Sequence, residues 1–289
     1  MIKDKVKDLM DKLQFPLDDQ IELLNTLDLL LKSDDFSRVI SAFNNYDIDF
    51  SKALEFIKDI SVTLELCEYT VNMIFILCIA DELHNKYKQN NIDDKIYYDT
   101  MMDLKYKLDE CKLVHGKVGT FVAAWYKRFF ELKIFALGRL QFEINNTWFD
   151  CEVSGKKISK GTKVLSVHIP RTGTRLDHDL VLDSYKRAKE FFKDEFEGDI
   201  IFICNSWLLY PWNREILEDK SNLALFYDDF NLVETGEYKD YNESWRLFDC
   251  LYDGNVNNLP NNTSLRRAYI ERIKSGKPLG YATGVIINI

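Results

Sequence analysis

The residues with the most chemical content lie between 163 and 207. Lys163 to Pro170 has the composition of a strand. Arg171-Thr172-Gly173-Thr174-Arg175-Leu176 is a polar turn, Asp177 to Phe196 an amphipathic helix, and Asp199 to Trp207 a second strand. A turn that opens a helix straight after a strand presents unpaired backbone N–H groups. With the helix dipole, those donors favour an anion, typically a phosphate. Two arginines add positive charge. An exposed loop with two solvated arginines fits the same residues.

Proton chemistry has its own candidates. In strand Lys163–Ile169, Ser166 and His168 share one face, opposite Leu165, Val167 and Ile169. Gln141 and Glu143 share the polar face of an earlier strand. If the two polar faces coincide, Glu143 and His168 meet in a cleft. A histidine, or a carboxylate raised by burial, can then accept a proton. A purely structural pair is the other reading. Cys204, among Ile, Phe and Ile, reads as a buried inert thiol. His178, at the start of the helix, is either a phosphate contact or a surface histidine.

The elements that must hold these residues fall into two regimes. Residues 1–136 read as helix throughout. Asp18 or Asp19 caps a segment whose stripe is Ile21, Leu24, Leu27 and Leu31. Asp49 precedes Ala53, Phe56, Ile57 and Ile60. Val71 to Tyr87 is the central buried helix. Asp93 or Asp94 opens another, and Gly119 precedes a last one with Phe121, Trp125, Phe129 and Leu132. Five or six such helices make a bundle.

The period changes at Gly138. Leu140, Phe142 and Ile144 alternate with Gln141 and Glu143 as in a strand. Trp148 to Val153 alternates again, with Gly155 turning it into a hairpin with Lys163–Ile169. Further on come a helix capped by Ser221 or Asn222, a strand Leu232–Tyr238 and a strand Trp245–Cys250. A helix from Thr263 or Ser264 to Gly276 and a final strand Tyr281–Ile287 complete the chain. The fold class is α+β: an all-helical domain, 1–136, then a mixed-sheet domain, 137–289.

Composition bounds the function. The 289 residues are 46% hydrophobic and 29% charged, ordinary for a globular protein. A net charge of −9 argues against a nucleic-acid or anionic-membrane partner. The six cysteines include no C-x-x-C pair, so no metal is expected. The first residues lack an apolar signal core and no run is long enough to span a bilayer, so a cytoplasmic location is expected.

The C-terminal half resembles the GNAT acyltransferase fold. Val164–Ile169 corresponds to its central strand, Arg171–Leu176 to its pyrophosphate loop, and Ile200–Leu209 to the strand that splays away. More narrowly, the whole chain is similar to a bacterial two-domain acyltransferase-like family. Its members join a helical N-acyltransferase N-terminal domain to a GNAT-like C-terminal domain. Leu137-Gly-Arg-Leu-Gln-Phe-Glu143, Val167-His-Ile-Pro-Arg171, Cys204-Asn-Ser-Trp-Leu-Leu209 and Thr263-Ser-Leu-Arg-Arg-Ala268 carry that likeness.

The resemblance implies an acyl-CoA-dependent N-acyltransferase that moves an acyl group, acetyl by expectation, from a CoA thioester to an amine. The acceptor is a small molecule or a peptide. Acetyl-CoA or another acyl-CoA is the co-substrate. Backbone N–H groups near Val167 and Ile169 are implied for the pantetheine arm, and Arg171, Thr172, Gly173, Thr174 and Arg175 for the phosphates. The strand faces offer Glu143 or His168 as base, the family's tyrosine acid falls at Tyr227, and Tyr210 is a second candidate by position. The chain also departs from the family. The usual loop is Gln/Arg-x-x-Gly-x-Gly/Ala; here the single glycine stands one position early. The segment Asn222-Leu-Ala224-Leu-Phe226-Tyr227 is compressed. A non-catalytic ligand-binding or regulatory protein on a degenerate GNAT scaffold is the alternative.

Overall fold

The computed structural model describes residues 2–241, 243–287 and 289. The chain divides into two compact units, Met1–Phe135 and Ala136–Ile289.

In the first unit, α1 (Ile2–Lys12), α2 (Leu17–Leu30), α3 (Asp34–Asn44), α4 (Phe50–Thr63) and α6 (Asp94–Met101) pack against α5 (Glu68–Gln89). Val71 to Ala80 is apolar almost all round, so every residue from Thr70 to Ala80 is buried and α5 becomes the axis of the core. Phe43, Phe50, Phe75 and Phe130 interlock around it with ring centroids 5.2 to 6.1 Å apart. Asp49 and Asp93 cap α4 and α6 through the amides of Lys52 and Lys95. Next come α7 (Asp103–His115) and the single turn α8 (Lys127–Phe130).

Two expectations are corrected here. Pro16, not Asp18 or Asp19, is the N-cap position of α2, and it has no side-chain cap. The buried stripe is Leu23, Leu27 and Leu30, while Ile21 and Leu31 are exposed. Leucines surround this helix, so spacing alone leaves its phase open. The buried Asp19, held by Lys112 Nζ at 2.7 and 2.8 Å, fits only the observed phase. The helix expected after Gly119 is only a 3₁₀ turn, Ala123–Tyr126, and α8. Packing overrides pattern there: Tyr126 is fully buried and its hydroxyl donates to Asp103 Oδ2 at 3.0 Å.

The sheet also begins before Gly138. Strand β1 (Ile134–Leu137) is buried at every position, and an all-apolar strand has no period to read. It leads into β2 (Leu140–Asn146). The main sheet has the order β1-β2-β5-β6-β8-β7. The strands β3 (Cys151–Val153) and β4 (Lys156–Ile158) form a separate two-stranded sheet. The hairpin expected to join 148–153 to 163–169 therefore does not form. Ser154 and Gly155 both have positive φ, 51° and 75°, and such a two-residue turn pairs a strand with its nearest neighbour. Strand β5 (Lys163–His168) pairs antiparallel with β2.

The helix α9 (His178–Phe191) crosses over to β6 (Phe202–Ser206), which lies parallel to β5. α10 (Pro211–Ile216), α11 (Asn222–Asp228) and β7 (Asn231–Glu237) follow. Trp245–Phe248, expected as a strand, is the short helix α12, which Asp249 ends in the left-handed conformation. α13 (Ser264–Lys274), capped by Thr263, and β8 (Gly280–Ile286), between β6 and β7, complete the unit.

Candidate active site

The β2–β5 register decides which side chains meet. Gln141 stands opposite His168, and Glu143 opposite Ser166. Directly opposed residues share a face, so these four polar side chains gather on one side of the sheet. Phe142 and Phe202 point to the other, where Tyr185 of α9 packs on both at 5.9 and 4.9 Å. Gln141 and Glu143 are buried, and His168 is partly open. Across the strand pair, His168 Nε2 lies 2.9 Å from Glu143 Oε2. A carboxylate in that position fixes the Nε2–H tautomer and puts the imidazole lone pair on Nδ1. The pair can take up a proton at His168 and stabilise the imidazolium through Glu143.

This pair lies beside a break in the sheet. Strands β5 and β6 are partnered only at Leu165–Phe202 and Ser166–Ile203. Beyond those positions β5 continues to His168 and β6 to Ser206 with no pairing to each other. The backbone of Val167 and Ile169 thus borders a gap between two parallel strands.

The turn after β5 lies at the same end of the strand. Gly173 has φ 75° and is exposed. Thr172 N donates to Pro170 O at 3.0 Å, and Thr174 N to Thr172 Oγ1 at 3.2 Å. Among the described residues no protein acceptor takes the amides of Gly173 or Arg175, and the exposed Arg175 has no ion-pair partner. Two of the helix donors expected to assist are committed elsewhere: Asp177 Oδ1 caps α9, accepting from Asp179 N and Leu180 N at 3.1 and 3.4 Å. An anion at this turn meets loop amides and arginine, and of the helix's opening amides that of His178.

Arg171 is partly exposed but ion-paired. Its Nη1 lies 2.6 Å from Asp249 Oδ1, without the alignment of a hydrogen bond. The other carboxylate oxygen, Oδ2, accepts from Arg266 Nη2 at 2.6 Å. Asp249 therefore joins two guanidiniums. It lies 78 positions from Arg171, and no local spacing signals such a partner. His178 is partly exposed and paired: its Nε2 faces Asp229 Oδ1 and Oδ2 at 3.0 and 3.1 Å. Burial raises the Asp229 carboxyl above the usual carboxylate range, and His178 partly offsets that.

Tyr227 is half-buried on α11, and burial, then Asp228, raises its hydroxyl pKa. Among the described residues no hydrogen bond joins it to Glu143 or His168. Tyr210 is nearly buried and lines a 570 Å³ cleft with Trp212, Glu215, Glu237 and Arg272. Cys204 is fully buried in β6, and burial pushes its thiol up to about 12.

A hairpin feeding a central strand, and a parallel neighbour that parts from it after two residue pairs, define a GNAT-like scaffold. The chain belongs to the two-domain acyltransferase-like family. Residues 4–132 match the N-acyltransferase N-terminal domain, and residues 134–286 match the GNAT-like C-terminal domain. A search of the curated proteins finds no significant match. Among solved structures the chain is similar to an acyltransferase in complex with decanoyl-CoA and teicoplanin. That likeness has 19% identity and a TM-score of 0.74, over 98% of this chain and 88% of that one. A mutant acyltransferase in complex with octanoyl-CoA matches at 19% identity and TM-score 0.74, covering 99% and 88%. An acyltransferase in complex with decanoyl-CoA matches at 21% and 0.73, covering 99% and 88%.

Proposed function

We propose that the protein is an acyl-CoA-dependent N-acyltransferase, carrying an acyl group from a CoA thioester to an amine on a small molecule or peptide. The observation that carries this reading is the gap between β5 and β6, bordered by Val167 and Ile169 and flanked by the Glu143–His168 pair. A thioester arm laid in the gap meets strand backbone. Its phosphates meet the amides of Gly173 and Arg175 and the side chain of Arg175. The amine nitrogen attacks the thioester carbonyl, and His168 accepts the proton it sheds, with Glu143 holding the imidazolium. The C–S bond then breaks, and the departing CoA thiolate takes a proton from Tyr227 or from water. Medium-chain thioesters and a glycopeptide in acyltransferases of like fold support a donor longer than acetyl and a small-molecule acceptor as alternatives to be tried beside acetyl-CoA.

Calorimetric titration with CoA, acetyl-CoA and decanoyl-CoA tests the donor, and thiol release with a panel of amines tests turnover. Binding of a thioester and amine-dependent thiol release are expected. No heat with any of the three would overturn the reading. The Asp249 carboxylate on Arg171 favours a second one, a ligand-binding or regulatory protein without turnover. Binding with no thiol release from any amine would select it.

A further inference from the structure

The turn between β5 and α9 is shaped by a residue far from it in sequence. Arg139 stands in the turn between β1 and β2, directly after Gly138. Its guanidinium reaches three carbonyls of the turn: Nη1 donates to Pro170 O at 3.1 Å, Nε to Arg175 O at 3.3 Å and Nη2 to Thr174 O at 3.4 Å. Its own amide donates to Ser184 Oγ at 2.7 Å, and that hydroxyl donates to Leu180 O at 2.7 Å in the first turns of α9. One residue thus ties the hairpin to both the turn and the helix that follows it.

A peptide plane carries its N–H and C=O on opposite edges. A cation that gathers carbonyls on one side of a turn aims the intervening amides to the other side. The Pro170, Thr174 and Arg175 carbonyls share their peptide planes with the amides of Arg171, Arg175 and Leu176, and none of those three amides donates to a described protein acceptor. Asp177 has taken two of the helix's opening donors, so these loop amides, with His178 N, are backbone donors that remain for an anion.

We propose that Arg139 is the positioning residue of the phosphate loop. It touches no ligand itself and fixes the loop so that backbone amides meet a CoA phosphate. The proposal rests on the acyl-CoA reading above and extends it to a residue outside the turn. Lysine keeps the charge and three donors, but on a single nitrogen in place of a planar fork, so it cannot meet the three carbonyls where Nε, Nη1 and Nη2 now reach them.

The test compares the full-length protein with its R139K and R139Q variants. Binding of decanoyl-CoA and of decanoyl-pantetheine, which lacks the phosphates, is measured by calorimetry. Hydrogen exchange is followed at residues 171–176 in the free protein. Decanoyl-CoA is expected to bind about tenfold more weakly to R139K, the equivalent of losing about one charge-assisted hydrogen bond. Decanoyl-pantetheine should change by less than about twofold. Loop exchange should accelerate, with the melting temperature nearly unchanged in R139K. Unaltered decanoyl-CoA affinity in both variants would overturn the proposal. So would a parallel loss for both ligands, which marks general structural damage. Absence of decanoyl-CoA binding by the unmutated protein would instead sink the acyl-CoA reading, and the proposal with it.

Discussion

The Asp249 bridge gives the sharpest stability prediction. Asp249→Asn removes the charge and leaves the shape. The backbone at 249 is left-handed, φ 61°, a conformation asparagine tolerates well. Arg266 is only 12% exposed at its side chain and Asp249 22%, so their bond is sheltered. A hydrogen bond to a charged group in such a place is worth about 1.5–3 kcal/mol. Arg171 is 36% exposed and poorly aligned, which reduces its share to about 0–1 kcal/mol. Asparagine keeps one acceptor, and Arg266 keeps Leu247 O and Asn262 Oδ1. The expected loss is therefore about 2 kcal/mol, or roughly 4–8 °C in melting temperature for a unit of this size. Asp249→Ala should lose about 1–2 kcal/mol more, because alanine pays for the left-handed backbone. Scanning calorimetry of the full chain reads both. An Asp249→Asn transition within about 1 °C of the original would refute the view that this carboxylate holds the two arginines.

Other consequences can be checked together. His168→Ala should lower turnover about 10²–10⁴-fold with acyl-CoA binding preserved, and Glu143→Gln should lower it in the same sense by less; a collapse in binding instead, measured by titration, would give the pair a structural role. The Cys204 thiol, pushed up by burial from 9.0 to about 12, should resist alkylation in the native protein and react only on unfolding. Its folded value lies above its unfolded one, so its contribution is complete below pH 9.0 and is lost as pH rises towards 12; a Cys204→Ala variant should show less alkaline destabilisation in calorimetric scans from neutral to high pH. Gly138→Ala should destabilise by roughly 1–3 kcal/mol, because φ is 84° and the new Cβ would stand 2.7 Å from Ser184 Oγ. Adding Ser184→Ala should recover only the steric part.

The α+β class is legible in the sequence because the periods differ so plainly between Val71–Tyr87 and Leu140–Ile144, and the family because phrases such as Val167-His-Ile-Pro-Arg171 resemble it. Alternation also places Glu143 and His168 on polar faces, and the register then joins them. Misreadings cluster where period carries no information. Ile134–Leu137 is apolar at every position, and the leucines of α2 allow more than one phase. Trp245–Phe248 is too short for any pattern. The partners of the loop were hidden for another reason. Arg139, Asp249 and Asp229 reach it or its neighbouring helix from distant segments, and only the fold brings them close. Asp177 carried a local signal, since an aspartate before a helix is a capping residue, and its capping competes with anion binding.

Two residue pairs are all that fasten β5 to β6. The main sheet is mechanically two blades, β1-β2-β5 and β6-β8-β7, riveted at a narrow seam. Each blade is closed by antiparallel pairing within itself, whereas the seam depends on a long crossover through α9. Opening should therefore start there, ahead of global unfolding. A molecule whose chain lies in the slot would replace the missing rungs and weld the blades, so occupancy should slow amide exchange in both at once.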